Sequence, residues 1–243
     1  MINKWNDKDV EQYSQYDDSE LDIIHPELFR MLGDVYQKKV VDYGCGEGKF
    51  LEELISRKVK VYGYDISSVM ISCAKERIAD KGVLEVIESG KIPLPDNSIN
   101  AVVSNLVLMM CPDYGMLEQI YKEASRVLVN NGSWIFCITH PAFIDREFTL
   151  FRSVFNKEFN YSEIGQPYQF VLRKKDGNEI TKESFVDYHY PLATYINLLP
   201  EMGFKLEDFN ELTVKDNPLP LYVIIKGIKE HSLTQTRNNK DYH

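Results

Sequence analysis

The sequence predicts an α/β domain, a doubly wound and mostly parallel sheet whose last strand runs antiparallel, with a lid and hairpin inserted late in the chain. Three observations carry this. The apolar run Val40-Val41-Asp42-Tyr43 feeds three glycines at alternate positions, Gly44, Gly46 and Gly48, and then an amphipathic segment, Phe50 to Arg57. That order is strand, tight loop, helix. Val61-Tyr62-Gly63-Tyr64-Asp65 follows as a second apolar strand that ends in a carboxylate one helix-plus-strand unit later. Strands and helix-period segments then alternate as far as Thr139, and no helix separates the last two strands.

The elements follow in order. Residues Met1 to Ser19 carry Trp5, Tyr13 and Tyr16 among polar residues and read as an aromatic leader. Ser19 to Leu32 places Leu21, Ile24, Leu28, Phe29 and Leu32 at helical spacing, a packing helix in which His25 is a surface or capping residue. Beyond the glycine loop, Phe50, Leu51, Leu54 and Ile55 form a core stripe, and Ser67 is an N-cap ahead of Met70, Ile71, Ala74 and Ile78. Val83 to Ile87 is the third strand. Pro93 and Pro95 mark an extended loop before the fourth, Ala101 to Leu106. Asp113 caps the next helix, which Asn130-Asn131-Gly132 ends, and Trp134 to Thr139 is the fifth strand.

Ala142 to Pro167 has no sustained period and reads as a lid. Tyr168 to Lys174 and Ser184 to Tyr190 alternate around Asp176-Gly177 as a hairpin. Leu192 to Met202 is helical with Gly203 as its stop, and Phe204 to Leu212 and Leu221 to Ile228 are an antiparallel final pair. The expected organisation is one domain over residues 1–230, with an N-terminal cap at 1–34, the lid and hairpin at 141–191, and a disordered tail at 231–243.

With 243 residues the chain is long enough for one α/β domain with an appended element. A net charge of -9 disfavours nucleic acid, whose binding leans on Lys and Arg at phosphates. No apolar run is long enough to span a bilayer and the start is polar, so the expectation is a cytoplasmic protein without a membrane partner. Cys45, Cys73, Cys111 and Cys137 are widely spaced and read as free thiols, and no metal-ligand cluster is expected.

In a doubly wound sheet a carboxylate at the end of the second strand lies beside the first loop and accepts from two ribose hydroxyls. Loop and Asp65 therefore form one site for an adenosine-containing ligand, either a nicotinamide dinucleotide or S-adenosylmethionine. The spacing separates the two. A dinucleotide site shows G-x-G-x-x-G, whereas this loop is G-x-G-x-G with Glu47 inside it, a poor neighbour for a pyrophosphate but tolerable beside an amine and a sulfonium.

With the loop Asp42 to Gly48, the strand end Gly63 to Ser67, the stretch Ile92 to Ser98 and the strand Ala101 to Leu106 in this order, the chain resembles the class I S-adenosylmethionine-dependent methyltransferases. The likeness runs roughly from Lys38 to Lys229. It implies a seven-stranded Rossmann-like sheet and S-adenosylmethionine as cofactor, with S-adenosylhomocysteine as product. It also implies cofactor contacts from Asp42, Gly44, Cys45, Gly46 and Gly48, from Asp65 and Ile66, from Glu88 and Ser89 at the adenine, and from Asn105 and Leu106 at the methionine half. The chain departs from the family's usual Asp at Glu88 and Asn100, and from a frequent His at Met109.

On the acceptor side, the resemblance makes Tyr13, Tyr16, Met109, Tyr188 and Tyr190 substrate contacts, and His140 and His189 are the histidines placed nearest the pocket. His140 is the candidate base, and His189 a candidate catalytic or substrate-contacting residue. The function implied is methyl transfer to a small-molecule acceptor, by O- or N-methylation in metabolite or natural-product biosynthesis. The alternatives are C-methylation of a quinone-type precursor, or a non-catalytic cofactor-binding module acting through a protein partner. Monomer and homodimer both stay open.

Overall fold

The computed structural model describes residues 21–174, 176–180, 185–214 and 217–231. Helix α1 (Leu21–Leu32) precedes β1 (Lys39–Tyr43), α2 (Lys49–Ser56), β2 (Lys60–Asp65), α3 (Ser68–Ile78) and β3 (Val83–Val86). Then come β4 (Ile99–Asn105), a single 3-10 turn at Leu108–Met110, α4 (Tyr114–Val127) and β5 (Leu128–Thr139). Strands β6 (Phe151–Phe155), β7 (Gln166–Leu172) and β8 (Phe185–His189) follow. Helix α5 (Leu192–Glu201), β9 (Phe204–Thr213) and β10 (Pro220–Lys229) complete the order.

Seven strands make one sheet in the order β3-β2-β1-β4-β5-β10-β9. The first five are parallel, and β10 runs antiparallel to both β5 and β9. Side chains alternate across it. On β5, Trp134, Phe136 and Ile138 pack with Leu117, Ile120 and Tyr121 of α4 and Leu198 and Leu199 of α5. Ile135 and Cys137 face the other way, toward Ile24 and Leu28 of α1 and Leu51 and Leu54 of α2. Helices cover both faces, which is why the central strands are mostly apolar, with Asp42, Ser104 and Asn105 as polar exceptions toward their carboxyl ends. Strand β1 pairs with β2 on one side and β4 on the other, so the strand order reverses there and a crevice opens beyond its carboxyl end. Asn100 helps fix that junction, its side-chain oxygen accepting from the Lys39 amide at 2.9 Å.

The caps expected of Ser67 and Asp113 are present. Ser67 Oγ accepts from the Met70 amide and Asp113 Oδ1 from the Met116 amide. No helix joins β3 to β4. Arg126 of α4 instead holds the proline-containing connection, donating to the carbonyls of Ile92 and Leu94 and to Asp96.

Two expectations are corrected. Helix α4 ends at Val127, and Asn130-Asn131-Gly132 lies inside β5, where Asn131 has φ 62° and the register against β4 shifts. A helix stop and a bulge both need left-handed backbone, so the same residues serve either. The region between Ala142 and Pro167 contains a strand, β6, which pairs antiparallel with β7 to make the hairpin a three-stranded sheet.

Candidate active site

The glycine loop is tied to β2 by its own backbone. The amides of Gly44 and Cys45 donate to the Tyr64 carbonyl at 2.7 and 3.0 Å. Asp65 completes the tie, one carboxylate oxygen accepting from the Gly46 amide at 3.0 Å and the other from the Ser67 amide at 2.8 Å. All three loop glycines have positive φ, from 52° to 83°. Their surroundings differ. A Cβ on Gly44 would strike Val107 and one on Gly48 would press Ala74 at 3.1 Å, while one on Gly46 would meet nothing within 4 Å. Gly44 and Gly48 thus serve packing, and only Gly46 leaves space. Glu47 pairs with Lys49 at 2.7 Å and Arg77 at 2.9 Å, which fastens the loop to α3.

Beyond this loop lies a cavity of about 240 Å³. At one end are Asp42, Tyr43, Gly44 to Glu47, Asp65 and Ile66, with Ile87 and Ser89 beside them and Asn105, Leu106 and Val107 in the middle. The other end is mostly apolar, formed by Met109, Met110, Phe170, Leu172, Phe185 and Tyr222, with Thr139 and Asp187 as polar exceptions. The hydroxyl of Tyr43 accepts from the Gly90 amide at 2.7 Å and so holds the Ser89 turn against the site.

Four carboxylates line this space, those of Asp42, Glu47, Asp65 and Asp187, and Glu47 is already paired with Lys49 and Arg77. Burial first, and then the charge of Asp65, push Asp42 up to about 7. Burial also raises Asp65, opposed by the amides of Ser67, Gly46 and Ile66 that favour its ionised form. Asp187 is pushed to about 7 by burial, with the Tyr168 hydroxyl working against the shift.

Of the residues singled out from sequence, Asp42, Gly44, Cys45, Gly46, Asp65, Ile66, Ser89, Asn105, Leu106 and Met109 line the cavity, and Gly48 does not. Glu88 turns away, exposed and paired with Lys91, while its neighbours Ile87 and Ser89 face in. Strand alternation explains this, because at the end of β3 only every second residue can face the site. The same parity separates Thr139, which lines the cavity, from His140, which does not. His140 Nδ1 accepts from the Ala142 amide, and its Nε2 lies 2.8 Å from Glu211 Oε1. Both nitrogens are engaged away from the cavity.

His189 also lies outside it. Its Nε2 donates to the Tyr161 carbonyl at 2.8 Å, its ring packs on Phe159 and Tyr161, and burial holds its pKa below the usual value. Tyr190 donates its hydroxyl to the Cys111 carbonyl, and Tyr188 packs against the core beside α4 and α5. Neither lines the cavity. Tyr13 and Tyr16 fall outside the described residues. Sequence reasoning missed His25, which is buried, bonded to Glu53 and part of the lining, and it missed the roof residues Phe170, Phe185 and Asp187. A signal for Asp187 was present, since it sits in the same alternating register as apolar Phe185.

Comparison with known proteins bears on the family and the fold. Residues 41–136 match the family described as methyltransferase domain. A Haemophilus influenzae protein of uncharacterised function is 25% identical over 209 residues, covering 79% of this chain and 77% of its own. A malonyl-[acyl-carrier protein] O-methyltransferase from Yersinia pestis is 35% identical over 172 residues, covering 67% of this chain, which spans 56% of that relative's length. Among solved structures, an S-adenosylmethionine-dependent methyltransferase from Mesorhizobium loti superposes with a TM-score of 0.63 at 22% identity, covering 84% of this chain and 96% of that one.

Proposed function

The chain belongs to the class I S-adenosylmethionine-dependent methyltransferases, and from that premise we propose that it acts as a single domain, in the cytoplasm, to methylate a small-molecule acceptor on oxygen or nitrogen. The observation that carries the reading is one continuous cavity with the glycine loop and Asp65 at one end and an apolar, aromatic roof at the other. Its cofactor is S-adenosylmethionine, and the lining fits that group. Asn105 Oδ1 is buried without a hydrogen-bond partner among the described residues, which leaves an acceptor for an amine. Asp42 is buried beside a second carboxylate, an arrangement that a ligand cation relieves.

In this reading Asp65 would accept from the ribose, Ile87 and Ser89 would flank the adenine, and Asp42 and Asn105 would face the amino-acid end. When bound, the cofactor supplies an electrophilic methyl group on a sulfonium, a leaving group that needs no acid. The chain's own residues then have two tasks: to align the acceptor at near contact, and to exclude water through Met109, Met110, Phe170 and Phe185. No helix among the described residues is long and apolar enough to cross a membrane.

The test is calorimetry with S-adenosylhomocysteine and NAD, followed by mass spectrometry of metabolite extracts incubated with the protein and methyl-labelled cofactor. We expect S-adenosylhomocysteine to bind and NAD not to, and label to appear on an oxygen or nitrogen of a small molecule. Label on carbon would point to the quinone-type alternative. Tighter binding of NAD would overturn the cofactor assignment.

A further inference from the structure

We propose that Asp187 is the acceptor-side proton acceptor of this site, and that the acceptor is accordingly an apolar, ring-sized molecule presenting a hydroxyl or an amine N–H rather than a carboxylate. The inference rests on the methyl-transfer reading above and narrows its substrate class. Asp187 is 6% exposed and lines the roof end of the cavity. Its place is set by strand pairing, since Tyr168 of β7 stands directly opposite it. The Tyr168 hydroxyl lies 3.5 Å from one carboxylate oxygen and also bonds Thr139, which lines the same cavity. Among the described residues that one long side-chain hydrogen bond leaves most of the carboxylate's accepting capacity unused. A buried carboxylate so placed among Met109, Phe170 and Phe185 needs a donor, and the donor this site is shaped to receive is the acceptor's own O–H or N–H.

Charge argues the same way. Among the described residues the cationic or potentially cationic side chains of the lining are Lys49, bonded to Glu47, and His25, bonded to Glu53, so each already faces a carboxylate. A carboxylate acceptor would therefore meet Asp187 as a like charge. A lone pair on the acceptor's oxygen or nitrogen forms the bond to the methyl carbon, the carbon–sulfur bond breaks with its electrons going to sulfur, and the displaced proton passes to Asp187 and then to solvent.

The pH profile adds a second readout. Tyr168 of β7 stands opposite Asp187, the titratable groups Cys111, Tyr222 and His25 share the cavity lining with it, and His189 lies two residues along the same strand. Burial places Asp187 at about 7, so kcat at saturating cofactor should rise with pH through that value.

The experiment offers the full chain a panel of phenols, alcohols and aryl amines beside mono- and dicarboxylates, with methyl-labelled S-adenosylmethionine. Label should go to hydroxyls or amines. Asp187→Asn should lower kcat about 100-fold or more, flatten its pH profile, and leave S-adenosylhomocysteine affinity within about twofold. Asp187→Glu should recover part of the rate. If no panel member turns over, calorimetry on the S-adenosylhomocysteine-loaded protein decides. Phenols or aryl amines that bind the parent and bind Asp187→Asn at least tenfold more weakly support the proposal, while binding by carboxylates alone, or by nothing in the panel, overturns it. Methylation of carboxylates, or an Asp187→Asn variant with the parent's kcat, overturns it as well. Failure of the parent to bind S-adenosylhomocysteine would instead strike the cofactor reading, so the two failures are separable.

Discussion

Two aspartates at adjoining strand ends differ in what their surroundings ask of them. Asp65 accepts from the amides of Gly46 and Ser67, whereas Asp42 is buried near that charge with no cation bonded to it among the described residues. Asp65→Ala should weaken S-adenosylhomocysteine binding by about 2–3 kcal/mol, the loss of charge-assisted bonds less what water restores. Calorimetry on the folded variant checks this, and an unchanged dissociation constant would remove Asp65 from the site. Asp42 should make affinity depend on pH. Its folded pKa of about 7 means that below neutrality the cationic ligand must expel a proton before the carboxylate can pair with it. Binding should therefore weaken as pH falls through 7 and release protons near that pH, and Asp42→Asn should abolish both effects. Calorimetry in two buffers of different ionisation enthalpy measures the proton release directly.

At the scale of elements, caps and loop divide stability from binding. Asp113 caps α4, whose packed face includes Leu117, Ile120 and Tyr121, and Asp113 itself does not line the cavity. Asp113→Ala should cost about 1 kcal/mol of folding stability and leave cofactor affinity alone, as urea unfolding and calorimetry together would show. Gly46→Val should do the reverse of a silent change. At φ 52° a β-branched residue is strained, and its side chain would occupy the space that the loop leaves open. Cofactor affinity should be lost even in preparations that remain folded by circular dichroism, and retained affinity would count against the loop assignment.

For the whole molecule, buried acids set how stability responds to pH. Asp42 and Asp187 both have folded pKa values of about 7, above their ordinary value of 3.8. The folded state therefore holds more protons than the unfolded chain between roughly pH 4 and 7, so their contribution to stability falls as pH rises through that window. Above it, each ionised carboxylate costs on the order of a few kcal/mol. Asp187→Asn should accordingly raise the ligand-free melting temperature at pH 8, and raise it less at pH 5, while losing turnover. Thermal unfolding at the two pH values tests this, and equal shifts at both would mean that Asp187 is not buried as an acid.

The sequence by itself determined the strand, glycine loop and helix around Gly44 to Gly48, the carboxylate at the end of β2, and the caps at Ser67 and Asp113. These are local features, because hydrophobic period and capping act within one or two turns of chain. Only the tertiary structure decided which residues at each strand end face the cavity. Ile87 lines it beside the expected Ser89 while Glu88 does not, and Thr139 lines it in place of His140, since the parity of a strand end is set by the neighbours it pairs with. Tertiary structure also brought Asp187 and Phe170, from a separate three-stranded sheet, into the cavity that the glycine loop lines. No local pattern specifies such a meeting, because packing between elements far apart in the chain decides where a roof comes to rest.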